Sequence, residues 1–516
     1  TVTGLDASET TILSDTTLSA ATLHTLKNTM DTLADAASAT VAAINAASVN
    51  TLSGTAIDIL AVYSAGPSGS NHITGLGDEA VTIDESADPG GDSAVSVADA
   101  NLIDSYTSGA ITATILENDS TTLSTLNSDT ANTNPYTITV TGTADAGDLV
   151  TLETKTSLEI TMTGLTTVSG TLGEVEALFT LHDDDKVNLG ASPSVNLTLT
   201  DTNVAASQAN TISAQTSGIV TATIYEGVYT NLTDLTNTGT GNENVYAITL
   251  SEQIDVTKAN TLQTKTNGVI TATISDTTIS TLKNLSVDEF SNNNFTITMN
   301  GASGAVAADD VNDIKARNAS GTIAASNFSS ITGTASAIIT AFGNIDSGDS
   351  AIPINVNSGS VTVSQARSLN ALTSSSVTGT IDTTSTISAM LDSSTGITES
   401  GGSNAYTIAI ASGDSTASVS DLNSLNALTT VAVNISNVDT LSSSSLTDLG
   451  TFASNISGFS NVTGITSIAI SDTTIEANTL ASRIDSFDSI NSGGTTNMTL
   501  VSGATINVSS ESEITE

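Results

Sequence analysis

Three stretches of this chain align with one another without a gap: Val97 to Ile115, Ala206 to Ile224 and Val256 to Ile274, which end SGAITATI, SGIVTATI and NGVITATI. A weaker fourth copy ends SSVTGTI at Ile381, so successive copies close 109, 50 and 107 residues apart. These spacings are near two, one and two multiples of a unit of roughly 50–54 residues. A chain that repeats at such a period is assembled from small supersecondary units, each unable to bury its own apolar face and each stacked on its neighbours.

Every unit divides again. A second strand-like run, at Tyr136–Thr141, Tyr246–Leu250 and Phe295–Met299, follows the first, after an interval of about 25 residues, half the repeat period. ITATI, YTITV and FTITM alternate apolar residues with Thr and are rich in β-branched residues, the pattern of a strand with one buried face. The linking segments VADANLIDSY and VTKANTLQTK instead space Ala and Leu or Ile helically, as at Ala259 and Leu262, behind a Ser, Thr or Asp fit to cap a helix. Gly109, Gly218 and Gly268 stand between helix and strand, where a C-terminal residue of positive φ is expected.

The pattern predicts an α/β repeat solenoid of leucine-rich-repeat type, with parallel strands joined by short, right-handed crossover helices. The competing architecture is an all-β parallel β-helix, favoured by the low helix propensity of Thr, Ser and Asn. Further strands are expected at Leu158–Thr163, Val195–Thr200, Ile354–Val356, Tyr406–Ile410, Val431–Ile435, Ser467–Ile470 and Met498–Val501. The expected organisation is an N-terminal cap or assembly segment over 1–46, a solenoid over 47–495, and a strand-like end over 496–516 that offers an assembly contact.

Composition narrows the function. Aromatic residues are only 3% and Trp is absent, yet hydrophobic residues reach 38%, enough for a thin aliphatic core repeated many times. The 54 acidic residues against 10 basic ones leave a formal charge of -44. Such a chain is a poor partner for nucleic acid, which requires Lys and Arg, and for anionic membranes. Self-repulsion on this scale calls for saline surroundings or divalent cations. There is no Cys, which a long solenoid does not need as a staple. No apolar run approaches the roughly 20 residues of a membrane span. The chain starts at Thr1 without a basic, apolar leader, as expected of a processed chain or part of a longer one.

Candidate sites are few. Asp84, Glu85, Asp88 and Asp92 fall in one acidic loop, and Asp183, Asp184 and Asp185 follow His182. Hard oxygen ligands at this density suit Ca²⁺, against the alternative of solvated loops. The Asp in Ser275-Asp276-Thr277-Thr278 and Ser471-Asp472-Thr473-Thr474 reads instead as turn and N-cap chemistry. His24, His72 and His182 lie far apart, and neither a nucleophile motif nor a phosphate loop accompanies them, so the chain is expected not to be an enzyme. Lys155 and Lys265 recur in Glu153-Thr-Lys-Thr and Gln263-Thr-Lys-Thr and read as solvated helix ends. The Thr-rich faces make a glycan or other surface ligand a candidate partner, although Thr is also simply the best polar strand former.

The segments SDTTLSAATLHTL from Ser14 to Leu26, SVADANLIDSYTSGAITATI and SDTTIEANTLASRIDSF together resemble the long, acidic, low-complexity repeat proteins of the cell surface in marine cyanobacteria and similar bacteria. The resemblance covers most of the chain. It implies export, an extracellular cell-surface location and a structural or adhesive role, with no catalytic residues to carry over. The function expected is a structural protomer of an extracellular filament, sheath or surface layer (S-layer), self-associating through solenoid ends or faces. The alternative is the spacer or stalk of a large adhesin.

Overall fold

The computed structural model describes residues 11–37, 43–65, 73–87, 93–127, 134–237, 244–346, 351–398, 404–490 and 496–509. The chain forms two compact units. One comprises Thr1–Ser251 with Leu262–Ile270, the other Glu252–Thr261 with Thr271–Glu516. Both are α/β. Among the described residues seventeen α-helices are interspersed with the strands, which excludes an all-β chain.

In the first unit one sheet runs Thr11–Ile12, Ile44–Asn45, Ile73–Thr74, and a second runs Thr17–Ser19, Thr51–Gly54, Ala80–Ile83, Ile111–Thr114, Tyr136–Thr137. Further along, Thr139–Asp145 pairs with Ile160–Gly170, which is followed by Asn196–Leu199 and Val220–Ile224. All these pairings are parallel, and the strands follow one another largely in chain order. In the second unit the order Ala305–Ala307, Ser330–Gly333, Ile354–Val356, Val377–Thr380, Ala405–Thr407 is likewise parallel. So is Thr416–Ser418, Thr440–Ser444, Ser467–Ile470, Asn497–Leu500.

The aligned segments show why each repeat folds as it does. The helix Val97–Asp104 starts where the Ser96 hydroxyl accepts the Asp99 amide at 3.1 Å, and it buries Val97, Ala100 and Ile103, a stripe one residue wide. Its counterparts are Ala206–Ser213 and Val256–Gln263. In the strand Ile111–Thr114, Ile111 and Ala113 are buried while Thr112 and Thr114 face outward. The next half of the unit carries a helix of one turn only, Ser120–Leu123, with Tyr229–Leu232 and Ile279–Leu282 in the later copies. The 50-residue period is therefore an alternation of a two-turn and a one-turn crossover. In segments this short, packing of the apolar stripe rather than intrinsic propensity holds the helix.

Three expectations need correction. Gly109, Gly218 and Gly268 do not have positive φ. They are needed because the backbone of the previous strand crosses directly over them: a Cβ would lie 2.2 Å from the Glu79 carbonyl oxygen, 2.3 Å from that of Val195 and 2.2 Å from that of Tyr246. The strand expected at Leu158–Thr163 starts at Ile160 and continues to Gly170, and that expected at Val431–Ile435 shrinks to Val433–Asn434. Ile354–Val356 and Ser467–Ile470 lie where the alternation placed them.

Within the segment expected to be a cap, the strand Thr17–Ser19 pairs with Thr51–Gly54 and the helix Ala20–Ala37 packs on Ala56–Ser64, in the same manner as later repeats. No described helix is long and apolar enough to cross a membrane.

Candidate functional site

The recurrent polar residues converge on the joints between neighbouring repeats. The first amide of a helix has no intrahelical partner and sits at the positive end of the helix dipole. Here a carboxylate from the following repeat accepts it. The pairs are Ala56–Glu85 at 2.8 Å, Val97–Glu117 at 2.9 Å, Leu172–Asp201 at 2.6 Å and Ala206–Glu226 at 2.9 Å. Val256–Asp276, Ile387–Asp414 and Leu446–Asp472 close at 2.8, 2.8 and 2.6 Å. Glu117, Glu226 and Asp276 occupy one aligned position, two residues beyond the strand-closing Ile115, Ile224 and Ile274. The capping role read for Asp276 and Asp472 is seen, but the helix they cap belongs to the preceding repeat.

A second joint is made by asparagine. Asn134, Asn244 and Asn404 are buried two residues before Tyr136, Tyr246 and Tyr406. Their Oδ1 atoms accept the amides that open the preceding strands, Ile111 at 2.8 Å, Val220 at 2.9 Å and Val377 at 3.1 Å. Asn244 Nδ2 donates to Ser213 Oγ at 2.8 Å and to the Tyr246 hydroxyl at 2.9 Å. Burial pushes the Tyr246 hydroxyl up to about 12, against the opposing effect of its bonds to Ser213 and Asn244. On the helices, Asn101, Asn210 and Asn260 hold aligned positions and donate to the Thr125, Asp234 and Asn284 carbonyls at 2.9, 2.8 and 2.8 Å.

Buried threonines form a third joint. Thr107, Thr216 and Thr266 donate to the Glu79, Val195 and Tyr246 carbonyls at 2.7, 2.8 and 3.0 Å, and each accepts the amide of the glycine two residues later. Thr156, Thr373 and Thr429 donate in the same way without a glycine, to Tyr136, Ile352 and Tyr406.

Among the described residues, the carboxylates expected to hold Ca²⁺ do not gather into one group. Asp84 is exposed, its acidity increased by the Ser86 hydroxyl and amide, whereas Glu85 is buried on the amide of Ala56. Asp88 and Asp92 lie outside the described residues. Asp183 ends the helix Leu172–Asp183, Asp184 is its cap and Asp185 has φ 57°, and all three side chains are exposed. Among the described residues no group of three His, Asp or Glu side chains is arranged to hold a metal ion.

His24 Nδ1 lies 3.8 Å from Asp58, His182 Nδ1 lies 3.1 Å from the Val187 carbonyl, and His72 is outside the described residues. Lys155 is not a solvated helix end. It is buried, with Nζ donating to the Leu126 carbonyl at 2.7 Å, while Lys265 is half-buried.

Other cations also meet carbonyls: Lys315 meets Gly321 at 2.6 Å and Arg317 meets Leu285 at 2.7 Å. Carboxylate partners are found for Lys27, on Asp31, and Lys283, on Asp310. Outward Thr residues face one another in short runs, as Thr114–Thr137 and Thr139–Thr161. The runs break where Val245 and Ala247 stand opposite Thr221 and Thr223.

No family model matches the chain, and no curated protein matches it.

Proposed function

We propose that the chain is a non-catalytic structural protomer of an extracellular filament, sheath or surface layer, in which each unit is a leucine-rich-repeat-like solenoid. The observation that carries this reading is where the reactive groups go. Carboxylates, amides and hydroxyls that a catalytic or binding protein would gather at one place are instead spread over many joints, tying neighbouring repeats together at 2.6–3.1 Å. Bonding of this kind resists extension along the stack, the property a filament or layer needs. The extracellular assignment is supported by the near-uncompensated charge of -44, which is best tolerated where salt is abundant. Calcium, if it acts, would screen exposed carboxylates such as Asp183, Asp184 and Asp185 rather than fill a built cage.

Negative-stain imaging of the purified chain, with and without a calcium chelator, tests the proposal. Linear or sheet-like particles are expected. A monodisperse monomer at every concentration and salt would instead favour the adhesin stalk.

A further inference from the structure

One joint of the first unit departs from its counterparts. The place held by Val195 and Tyr246 in two of the threonine joints is taken in a third by Glu79, a side chain only 1% exposed. Its Oε1 accepts the Tyr63 hydroxyl, its Oε2 accepts the Gly77 amide at 2.7 Å, and its backbone carbonyl accepts Thr107 Oγ1 at 2.7 Å. Tyr63 lies near the end of the helix Ala56–Ser64, and Tyr106 lies just past Val97–Asp104. Their rings stack with centroids 5.1 Å apart and planes 11° from parallel. Glu79 thus holds Tyr63 by its side chain and the neighbour of Tyr106 by its backbone. The repeat does not require this arrangement, because the positions aligned with Tyr106 hold Gln215 and Lys265.

The chain has neither Cys nor Trp, so tyrosine is its side chain most readily oxidised by one electron. Tyr136, Tyr246 and Tyr406 are sealed in the core at 0–2% exposure, whereas Tyr106 is 41% exposed and opens the stacked pair to an external oxidant. Burial, then the bond to Glu79 and its charge, push the Tyr63 hydroxyl far above its usual range, so this phenol does not shed its proton to water. It loses an electron only as its proton moves, and Glu79 is already bonded to receive that proton.

We propose that Tyr63 and Tyr106 form a modification site, where one-electron oxidation makes a dityrosine link between neighbouring repeats with Glu79 as the proton acceptor. The oxidant is a peroxide acting through a haem peroxidase. Each ring gives up one electron and its phenolic proton, Tyr63 to Glu79 and Tyr106 to water. The two phenoxyl radicals join by a carbon–carbon bond ortho to the hydroxyls, and the ring hydrogens at those carbons return to the phenolic oxygens. Two electrons and two protons leave in all, and they reduce one hydrogen peroxide to two waters. The link closes a long loop and restricts the unfolded chain as a disulfide would, in a chain without Cys. The site lies within one unit and goes beyond the structural-protomer reading, on which it does not depend.

The test treats the full chain with a haem peroxidase and hydrogen peroxide, then cleaves it at glutamates, which separates Tyr63 from Tyr106 at Glu79 and Glu85. Mass spectrometry should find the two tyrosine-bearing peptides joined and lighter by two hydrogens, from chains still of monomer size. The rate should not change with protein concentration, since the partners are already in contact. Tyr106→Phe, at an exposed ring, should remove the product. Glu79→Gln keeps the shape of the side chain but accepts a proton poorly, and should slow coupling about a hundredfold, the scale of a positioned proton acceptor. Circular dichroism checks that this variant folds, and the wild-type result stands without it. Tyrosines that couple only between molecules, or a wild-type chain that yields no Tyr63–Tyr106 product, would overturn the site. An undiminished rate in folded Glu79→Gln would overturn the role of Glu79.

Discussion

Replacing Asn244 by Ala should open a local defect without dismantling the fold. Asn244 is fully buried, and its removal strands the Val220 amide that Oδ1 accepts at 2.9 Å and deprives the Ser213 and Tyr246 hydroxyls of a donor. Each buried polar group left unmade costs about 1–3 kcal/mol. Tyr246 and Ser213 can partly re-pair, so the expected loss is about 3 kcal/mol. Amide hydrogen exchange reads the site directly: at about 1.4 kcal/mol per decade, protection at Val220 should fall by about two orders of magnitude. Protection at Val377, held by Asn404 at 3.1 Å, should not change. Unaltered protection at Val220 would refute the asparagine joint as an energetic element.

Glu226→Ala removes the acceptor of the Ala206 amide and should cost about 1 kcal/mol, with Glu226→Gln recovering part of it, since the amide keeps an oxygen but loses the charge that favours the helix dipole; urea melts of the pair should rank them so, and equal stabilities would count against the inter-repeat cap. Gly218→Ala drives a methyl group to 2.3 Å from the Val195 carbonyl oxygen and should lower the melting temperature strongly, whereas Gly413→Ala, with open space around it, should be near neutral. The raised Tyr246 hydroxyl stabilises the fold fully below its unfolded value near 10, and the contribution, about 2–3 kcal/mol, is lost as pH climbs through about 12. Alkaline denaturation should therefore shift to higher pH in Tyr246→Phe, and an unshifted curve would show that the hydroxyl ionises without strain.

Much of the fold can be read from the chain because two periods are superimposed without conflict. Alternation in ITATI and FTITM marks strands, and Ala100 and Ile103 or Ala259 and Leu262 mark the buried stripe of helices. What alternation does not show is how repeats are joined. Asn134, Asn244 and Asn404 look like loop residues, since Asn is ordinarily exposed, and only their constant place two residues before a Tyr hints at burial. Gly109 illustrates the same gap. A glycine after a helix suggests positive φ, but the constraint here comes from a backbone 30 residues earlier in the chain, the Glu79–Ala80 peptide. Lys155 was obscured by its own chemistry: a Lys in an acidic chain suggests a carboxylate partner and solvent, whereas its aliphatic stem is buried and its ammonium meets the Leu126 carbonyl.

The acidity of the chain then has two separable origins. Seven carboxylates are fixed on helix amides between repeats, where the negative charge is favoured by the dipole it faces. Those carboxylates could not be exchanged for Lys without leaving the amide unmet. Other described carboxylates, such as Asp183, Asp184 and Asp185, are exposed and have no such duty, and they contribute to the excess of 54 acidic residues over 10 basic ones. Surface charge repels at a range set by salt, roughly 10 Å at 0.1 M and 3 Å at 1 M, whereas bonds at 2.6–2.9 Å are scarcely screened. Raising salt should therefore leave exchange protection at Ala56, Val97 and Ala206 unchanged while promoting association between copies. A chain whose internal joints loosened with salt at the same concentrations at which it assembled would show that the two sets of charges are not independent.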